Sequence, residues 1–435
     1  MRLRLRFDPQ APILLGTGRD LQQVRESLEV IPGSAVLGAL ARPLLASAGI
    51  CRTHPMVPSQ PVPPELQRLL SELQISPLYP VPVEALMGDA TTDWQSVEVL
   101  PAPCTARTCK RHPGFADPAP GTEQGGDGVV DLWLDRTIHG TSRAHCPRDK
   151  GHRLERFRAS LYRVGHKPRR YGQASLPTRS QTRVGISRPT ETAAEGILFQ
   201  VEPVEPRRLR QPLSNGDTPS QENSLETGFV FIGEAWLPDD LWQLLAESFG
   251  SLDSSSITAP VAIGGLLARG FGQGHLTISV TDESRASLVE RLQLFGAAQE
   301  KGLPDLLLPG LLRSPWPLEE PGLSPLEEVL SSLAPPPRLQ ERLEPAPAAS
   351  ALETHPWGGW SMAWGLPKPR RQALAAGSVV TFRLKNYNPD QDHEPLIAWL
   401  AQCEERPSSR ECGAGWITWF DPFHFDLGAT KEGSR

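Results

Sequence analysis

Two groups of cysteine and histidine are the residues of this 435-residue chain best suited to hold a metal. The first, in LPAPCTARTCKRHPGF, places Cys104, Cys109 and His112 in a C-x4-C-x2-H spacing. The second, in AHCPRDKGHRLERF, carries His145, Cys146 and His152. Thiolate and imidazole donors favour zinc over magnesium. Two such clusters joined by a loop are how a structural zinc staples an insertion that lacks a core of its own. The candidate ligands are Cys109, His112, Cys146 and His152, and the alternative is a loop of unliganded side chains. Catalytic zinc is not expected, because neither HExxH nor a deaminase H-x-E with PCxxC occurs. Metal-independent RNA cleavage would need a general base and a general acid. His54, His139, His166 and His275 are candidates by residue type alone.

A second constellation suits phosphate. Residues 262–280 read AIGGLLARGFGQGHLTISV, with Gly264, Gly265, Gly270 and Gly272 around Arg269 and Phe271. Leu276, Ile278 and Val280 then alternate with polar residues, so a glycine loop feeds a strand. Glycine lets a ligand approach the main chain, and arginine suits a phosphate backbone. The alternative is a bulged hairpin turn with a solvated arginine. Dinucleotide and P-loop motifs fit less well, since a helix should follow their glycines. From Arg143 to Arg188 thirteen Lys or Arg face only Asp149 and Glu155, a balance of +11 in 46 residues. Arg169, Arg170, Arg179, Arg183 and Arg188 lie in this tract, with Phe157, Tyr162 and Tyr171 interleaved. Base with aromatics points to nucleic acid; the alternative is a basic face docked on an acidic partner. Gly33 and Ser34 open a helical pattern whose N-terminus would suit an anion or be an ordinary capped core helix.

The elements that position these residues follow from patterning. MRLRLRF is a first strand with arginines facing out, and it lacks the apolar core of a signal peptide. Val36, Leu37, Leu40, Leu44 and Leu45 recur at helical spacing, with Pro43 expected to kink or divide the helix. Further strands are expected at Phe229–Ala235, Gly196–Val201 and Ser378–Leu384, and a helical stripe at Leu396, Ile397, Trp399 and Leu400. The stretch 335–350, rich in Pro and Ala, reads as a linker. Net charge is -6, so the whole molecule is no generic polyanion binder, and no run reaches membrane-span length. Six cysteines are too few for a disulfide scaffold of this size, which makes a reducing cytoplasm the expectation.

Strand, helix, glycine loop and strand occur twice, at Phe229–Val280 and at Ser378–Phe420, where CGAGW precedes the last strand. The expected fold class is α+β: tandem ferredoxin-like domains with a Cys/His-containing loop insertion. Residues 1–284 form the first domain, with the insertion at about 100–190; 285–350 is a connecting region and 351–435 a degenerate second domain.

IPGSAVLGALA at Ile31, TRVGISRPTETAAEGILF at Thr182 and GGLLARGFGQG resemble the RAMP superfamily of CRISPR-associated proteins, which are ferredoxin-like (RRM-like) RNA binders. LPAPCTARTCKRHPGF, CPRDKGHRLERF and the terminal DPFHF resemble, more narrowly, the RAMP subunit of type III-D complexes, the Csx-ten family. The second cluster departs from that family: Cys146 is followed by Asp149 and Lys150 where C-x2-C would stand, which leaves His145, His152 or Asp149 as a fourth ligand. The resemblance implies a non-catalytic, Cas-five-like subunit in antiviral defence. It would hold the crRNA 5′ handle and contact the Cas-ten large subunit, Cas-seven-like backbone subunits and other type III-D subunits. A RAMP endoribonuclease processing pre-crRNA and a pure protein adaptor are the other function classes.

Overall fold

The structure is a computed structural model. It describes residues 1–16, 24–50, 52–54, 57–58, 61–87, 93–122, 125–138, 145–146, 148–149, 151–165, 168–187, 189–209, 225–250, 255–281, 286–298, 305–320, 322–361, 366–409 and 411–428. Among them helices and strands mix in an α+β architecture.

The first sheet is built around β1 (Arg2–Pro9), whose Leu3, Leu5 and Phe7 are wholly buried. Helix α1 (Gly33–Ser47) buries Val36, Leu40 and Leu44. Pro43 neither ends nor divides it, and Pro32 is the N-cap rather than Ser34. Two short strands follow, β2 (Gln74–Ile75) and β3 (Tyr79–Pro82), and both pair with β4 (Phe229–Trp236). After α2 (Trp242–Ser248) the chain forms the hairpin β5 (Ser256–Ala262) and β6 (Gln273–Val280). The sheet order is β5-β6-β1-β4-β2, antiparallel throughout.

The second sheet comprises β7 (Leu306–Leu312), β8 (Leu343–Pro345), β9 (Val379–Leu384) and β10 (Ile417–Trp419). Helix α3 (Pro325–Leu333) lies between β7 and β8, and α4 (Pro389–Glu405) between β9 and β10. The order is β8-β9-β7-β10, again antiparallel. In each sheet the first strand is central: β1 lies between β4 and β6, and β7 between β9 and β10. Residues 285–350, expected as a connecting region, therefore supply β7, α3 and β8. Proline makes residues 335–350 look like a linker, yet the edge strand β8 tolerates Pro345 because an edge leaves one row of amides unused.

The insertion has no separate core. Its Leu100, Phe115, Trp133, Phe157 and Leu161 belong to one apolar cluster with Leu308, Phe382, Leu400 and Trp419 of the second unit. Ion pairs reinforce that seam: Arg156 and Arg158 meet Glu353 at 2.6 and 2.9 Å, and Arg163 meets Asp421 at 2.7 Å. His424 of the DPFHF motif lies 3.2 Å from Asp131, both wholly buried. Burial would lower the His424 pKa, but the Asp131 and Asp421 carboxylates outweigh it and raise the value.

A second seam joins the two sheets. Glu234 of β4 binds Arg2 and Arg4 of β1 and Arg313 just beyond β7, at 2.5, 3.0 and 2.8 Å. Burial would raise its carboxyl pKa; Arg2, Arg313 and Arg4 outweigh that and hold it well below the carboxylate range. The β1 arginines thus do not all face out: Arg4 is 1% exposed. A buried carboxylate needs such partners, and the strand period alone cannot reveal them.

Candidate nucleic-acid interface and metal centre

The glycine loop is the turn between β5 and β6. Its amides anchor it to the segment after β1: Gly265 N–H donates to Leu14 O at 2.7 Å and Gly272 N–H to Pro12 O at 2.8 Å. Leu267–Arg269 form a 3-10 turn between two left-handed residues, Leu266 (φ 55°) and Gly270 (φ 84°). Gly264 has φ 101°, and a Cβ there would stand 2.5 Å from Leu14 O. Gly264, Gly265, Arg269 and Gly270 are exposed. Phe271 is not a free stacking surface; it is 5% exposed and packs with Leu14 and Val201. Phe271 pins the turn in an apolar cluster that the partly buried Leu266 also joins.

A hairpin of Gln181–Ser187 and Thr192–Glu202 stands beside this loop. Arg183 places its guanidinium 5.1 Å from the Phe271 ring centroid. Val204, just past the hairpin, bridges to both Ile13 and Thr178, so hairpin and loop share one anchor. Arg179 is exposed at the hairpin root. Exposed Arg25 adds a further cation over Phe199, at 5.7 Å, and was not anticipated because it stands alone in sequence. Val184, Ile186 and Leu198 are 46, 67 and 52% exposed on the same hairpin. The face therefore offers arginines, an exposed main chain and apolar side chains together. Arg188 lies outside the described residues.

Five other arginines of the basic tract serve the fold. Arg156, Arg158, Arg163, Arg169 and Arg170 all pair with carboxylates of this chain. Arg169 reaches Asp426 at 3.6 Å, and Arg170 reaches Asp117 at 3.0 Å. The interleaved Phe157, Tyr162 and Tyr171 are buried at 5, 0 and 3% exposure. Long-range carboxylates neutralise a tract whose local sequence holds almost none. Gly33 and Ser34 also fail to form an open anion site. Gly33 is buried, and Gly413 sits against the start of α1, where its Cβ would stand 3.2 Å from Gly33 N and 3.3 Å from Ser34 N.

The Cys/His cluster does assemble. Cys109 ends the strand Ala106–Cys109, which pairs with Leu154–Arg156 and so brings His152 alongside. Cys109 Sγ lies 3.6 Å from His152 Nδ1. Donors of a tetrahedral zinc at Zn–S of about 2.3 Å and Zn–N of about 2.0 Å stand about 3.6 Å apart. Cys146 is 1% exposed and its Sγ is 3.9 Å from Asp127 Oδ2. His112 Nδ1 is 3.1 Å from the same oxygen. Cys109, His112, Asp127 and His152 can present ligand atoms within 4.8 Å of one another. Burial pushes the Cys109 thiol pKa up, while hydrogen bonds from Cys109 and His112 hold Asp127 below its usual value. Asp127 comes from the glycine-rich loop between the two clusters; an acid in a loop tying two ligand groups together was the available signal. Cys104 is elsewhere, 2.9 Å from an Arg156 nitrogen. Asp149 stands 3.4 Å from His152 Nε2, placed to orient that ring. His275, one of the candidate acid–base groups, meets Gln10 at 3.0 Å. His139 and His166 lie outside the described residues, as does the side chain of His54.

No protein-family model matches the chain, and no curated protein matches it. Solved structures do. A chain of the type III-B Cmr-beta complex bound to cognate target RNA aligns at a TM-score of 0.40 and 11% identity, covering 87% of this chain and 86% of its own. A chain of that complex with target RNA and AMPPnP gives 0.39 and 11%, covering 92% and 93%. A chain of the Csm3-Csm4 subcomplex of the type III-A CRISPR-Cas interference complex gives 0.31 and 11%, covering 90% and 96%. These structural neighbours are subunits of type III CRISPR-Cas complexes.

Proposed function

We propose that this chain is a non-catalytic RNA-binding subunit of a type III-D CRISPR effector complex. It holds the crRNA 5′ handle and anchors the Cas-ten large subunit and Cas-seven-like backbone subunits. The observation that carries this reading is the exposed glycine loop, with Arg269 at its tip and the arginine-bearing hairpin at its side. Two further features support it. The second sheet follows strand, helix, strand, strand, helix, strand with the first strand central. The first sheet follows a similar order, with β2 and β3 together in the place of its second strand and β5 added ahead of β6, which is consistent with the expected ferredoxin-like arrangement. The motifs of the RAMP and Csx-ten resemblance also fall where they do structural work: GGLLARGFGQG is the loop itself, and DPFHF locks the insertion to the second unit.

The loop presents a guanidinium and an exposed glycine main chain that a ribose-phosphate chain can approach closely, without needing a base or an acid. Cys109, His112 and Cys146 with His152 would hold a structural zinc, Asp127 completing or orienting the set. A bound zinc supplies cross-linking of loops rather than chemistry on RNA.

The test is crRNA retention by the assembled complex. Arg269→Glu is expected to weaken it and to lower its salt dependence by one phosphate contact, about 0.7 in the logarithmic slope for a single strand. Unchanged retention would remove the loop from the RNA face. The non-catalytic part has its own check: repeat RNA incubated with the protein in EDTA should stay intact.

A further inference from the structure

A cavity of about 470 Å³ opens between the two units, and no glycine-loop or Cys/His-cluster residue lines it. Its walls come from Ser71 and Glu72 just before β2, Gln74 of the edge strand β2, the end of β4, and the last turns of α3 and α4 with the segments that follow; the Glu72 carboxylate pairs with Arg68 at 3.0 Å. Gln74 and Trp236 face each other across β2 and β4. Gln74 is 8% exposed, and its Oε1 has no hydrogen-bond partner among the described residues. A buried amide oxygen without a donor is uncommon and calls for one. Arg406 lays its guanidinium 4.6 Å from the Trp236 ring centroid, and no carboxylate pairs with it among the described residues. A stacked guanidinium keeps its N–H edge free for an anion. Trp399, Leu333 and Cys403 give the lining apolar side chains beside the hydroxyls of Ser408 and Ser409.

We infer that this cavity binds one adenine nucleotide, with the base edge at Gln74 and the phosphate at Arg406. The side-chain amide of glutamine matches adenine: its oxygen accepts from the N6 amino group and its nitrogen donates to N7. Tryptophan supplies the apolar surface for the ring. The volume lies within the range of small-ligand sites. The nucleotide is either free or an unpaired adenosine of a bound RNA, and the chemistry at the cavity is the same.

Equilibrium dialysis of the full chain against AMP, UMP and short single-stranded RNAs, one all-uridine and one with a single adenosine, tests this. AMP, or the adenosine-containing RNA, should bind at least about tenfold more tightly than its uridine counterpart. Saturable AMP binding identifies the free nucleotide as the ligand; preference shown only by the RNA identifies the strand. Gln74→Leu should abolish the preference. Arg406→Gln should weaken AMP severalfold and leave adenosine unaffected, and because Arg406 is exposed it keeps the test open should Gln74→Leu not fold. No adenine preference in either ligand form, a preference that survives Gln74→Leu, or AMP binding that Arg406→Gln leaves unchanged, overturns the inference. Arg269-dependent crRNA retention is a separate readout, so loss of either result leaves the other standing.

Discussion

Each sheet carries glycines ahead of its last strand, and the two sets are used in opposite ways. Before β6, Gly264–Gly272 project an exposed loop from the β5–β6 hairpin; among the described residues β10 has no partner equivalent to β5. Before β10, Gly413 is packed on the first turn of α1, and Gly415, at φ 78°, would place a Cβ 2.5 Å from Ser409 N. One loop is displayed and the other is a joint between the units. The same strand order thus supports a binding surface in one copy and internal packing in the other, and what decides is whether another part of the chain covers the loop. The seams differ as well. The sheets meet through one carboxylate among three guanidiniums, whereas the insertion meets the second unit through several ion pairs and the His424–Asp131 contact.

The largest expected effect tests the first seam. Glu234→Ala leaves Arg2, Arg4 and Arg313 without their shared carboxylate and should cost about 3–5 kcal/mol in denaturant unfolding. A loss as small as that of a surface variant would mean that the seam is not structural. Acid should act in the same direction. A carboxylate depressed in the folded state contributes stability above its unfolded pKa of about 4.3, and loses it as pH falls towards the folded value. His424 has the opposite sign. Its raised folded pKa contributes stability below about 6.5, lost as pH rises through the folded value. Unfolding midpoints followed from acid to alkaline pH should therefore fall on both sides, with Glu234→Gln making the acid limb shallower, since Asp421 and Asp392 are depressed as well, and His424→Gln making the other shallower.

The glycine loops themselves come next. Gly415→Ala must strain its backbone and displace Ser409, at about 1–3 kcal/mol. Gly270→Ala meets open space and pays only for positive φ, about 1 kcal/mol. Equal losses would erase the distinction between a joint and a displayed loop. Smallest is the stability change for Arg269→Glu, within about 0.5 kcal/mol by thermal melting, alongside weakened RNA retention.

Much of this was legible in sequence because it depends on local period. The strands of β1, β4 and β6 carry alternating or continuous apolar residues, and the β9–α4–β10 half of the second unit could be matched to its counterpart in the first. The capping box of Ser324 and Glu327 marks the start of α3, which lies inside the stretch 285–350 expected as a connecting region. The cysteines and histidines of the cluster also declared themselves by type and spacing. Tertiary structure alone decided the rest. Whether an arginine is free depends on carboxylates far away in the chain: Glu353 for Arg156 and Arg158, Asp421 for Arg163, Asp426 for Arg169. Whether a glycine loop is open depends on what packs over it, and Asp127 becomes a donor only when strand pairing brings His152 beside Cys109. Residue type and spacing determine what chemistry a chain can offer, while long-range burial and charge pairing determine which of those groups remain available to do it.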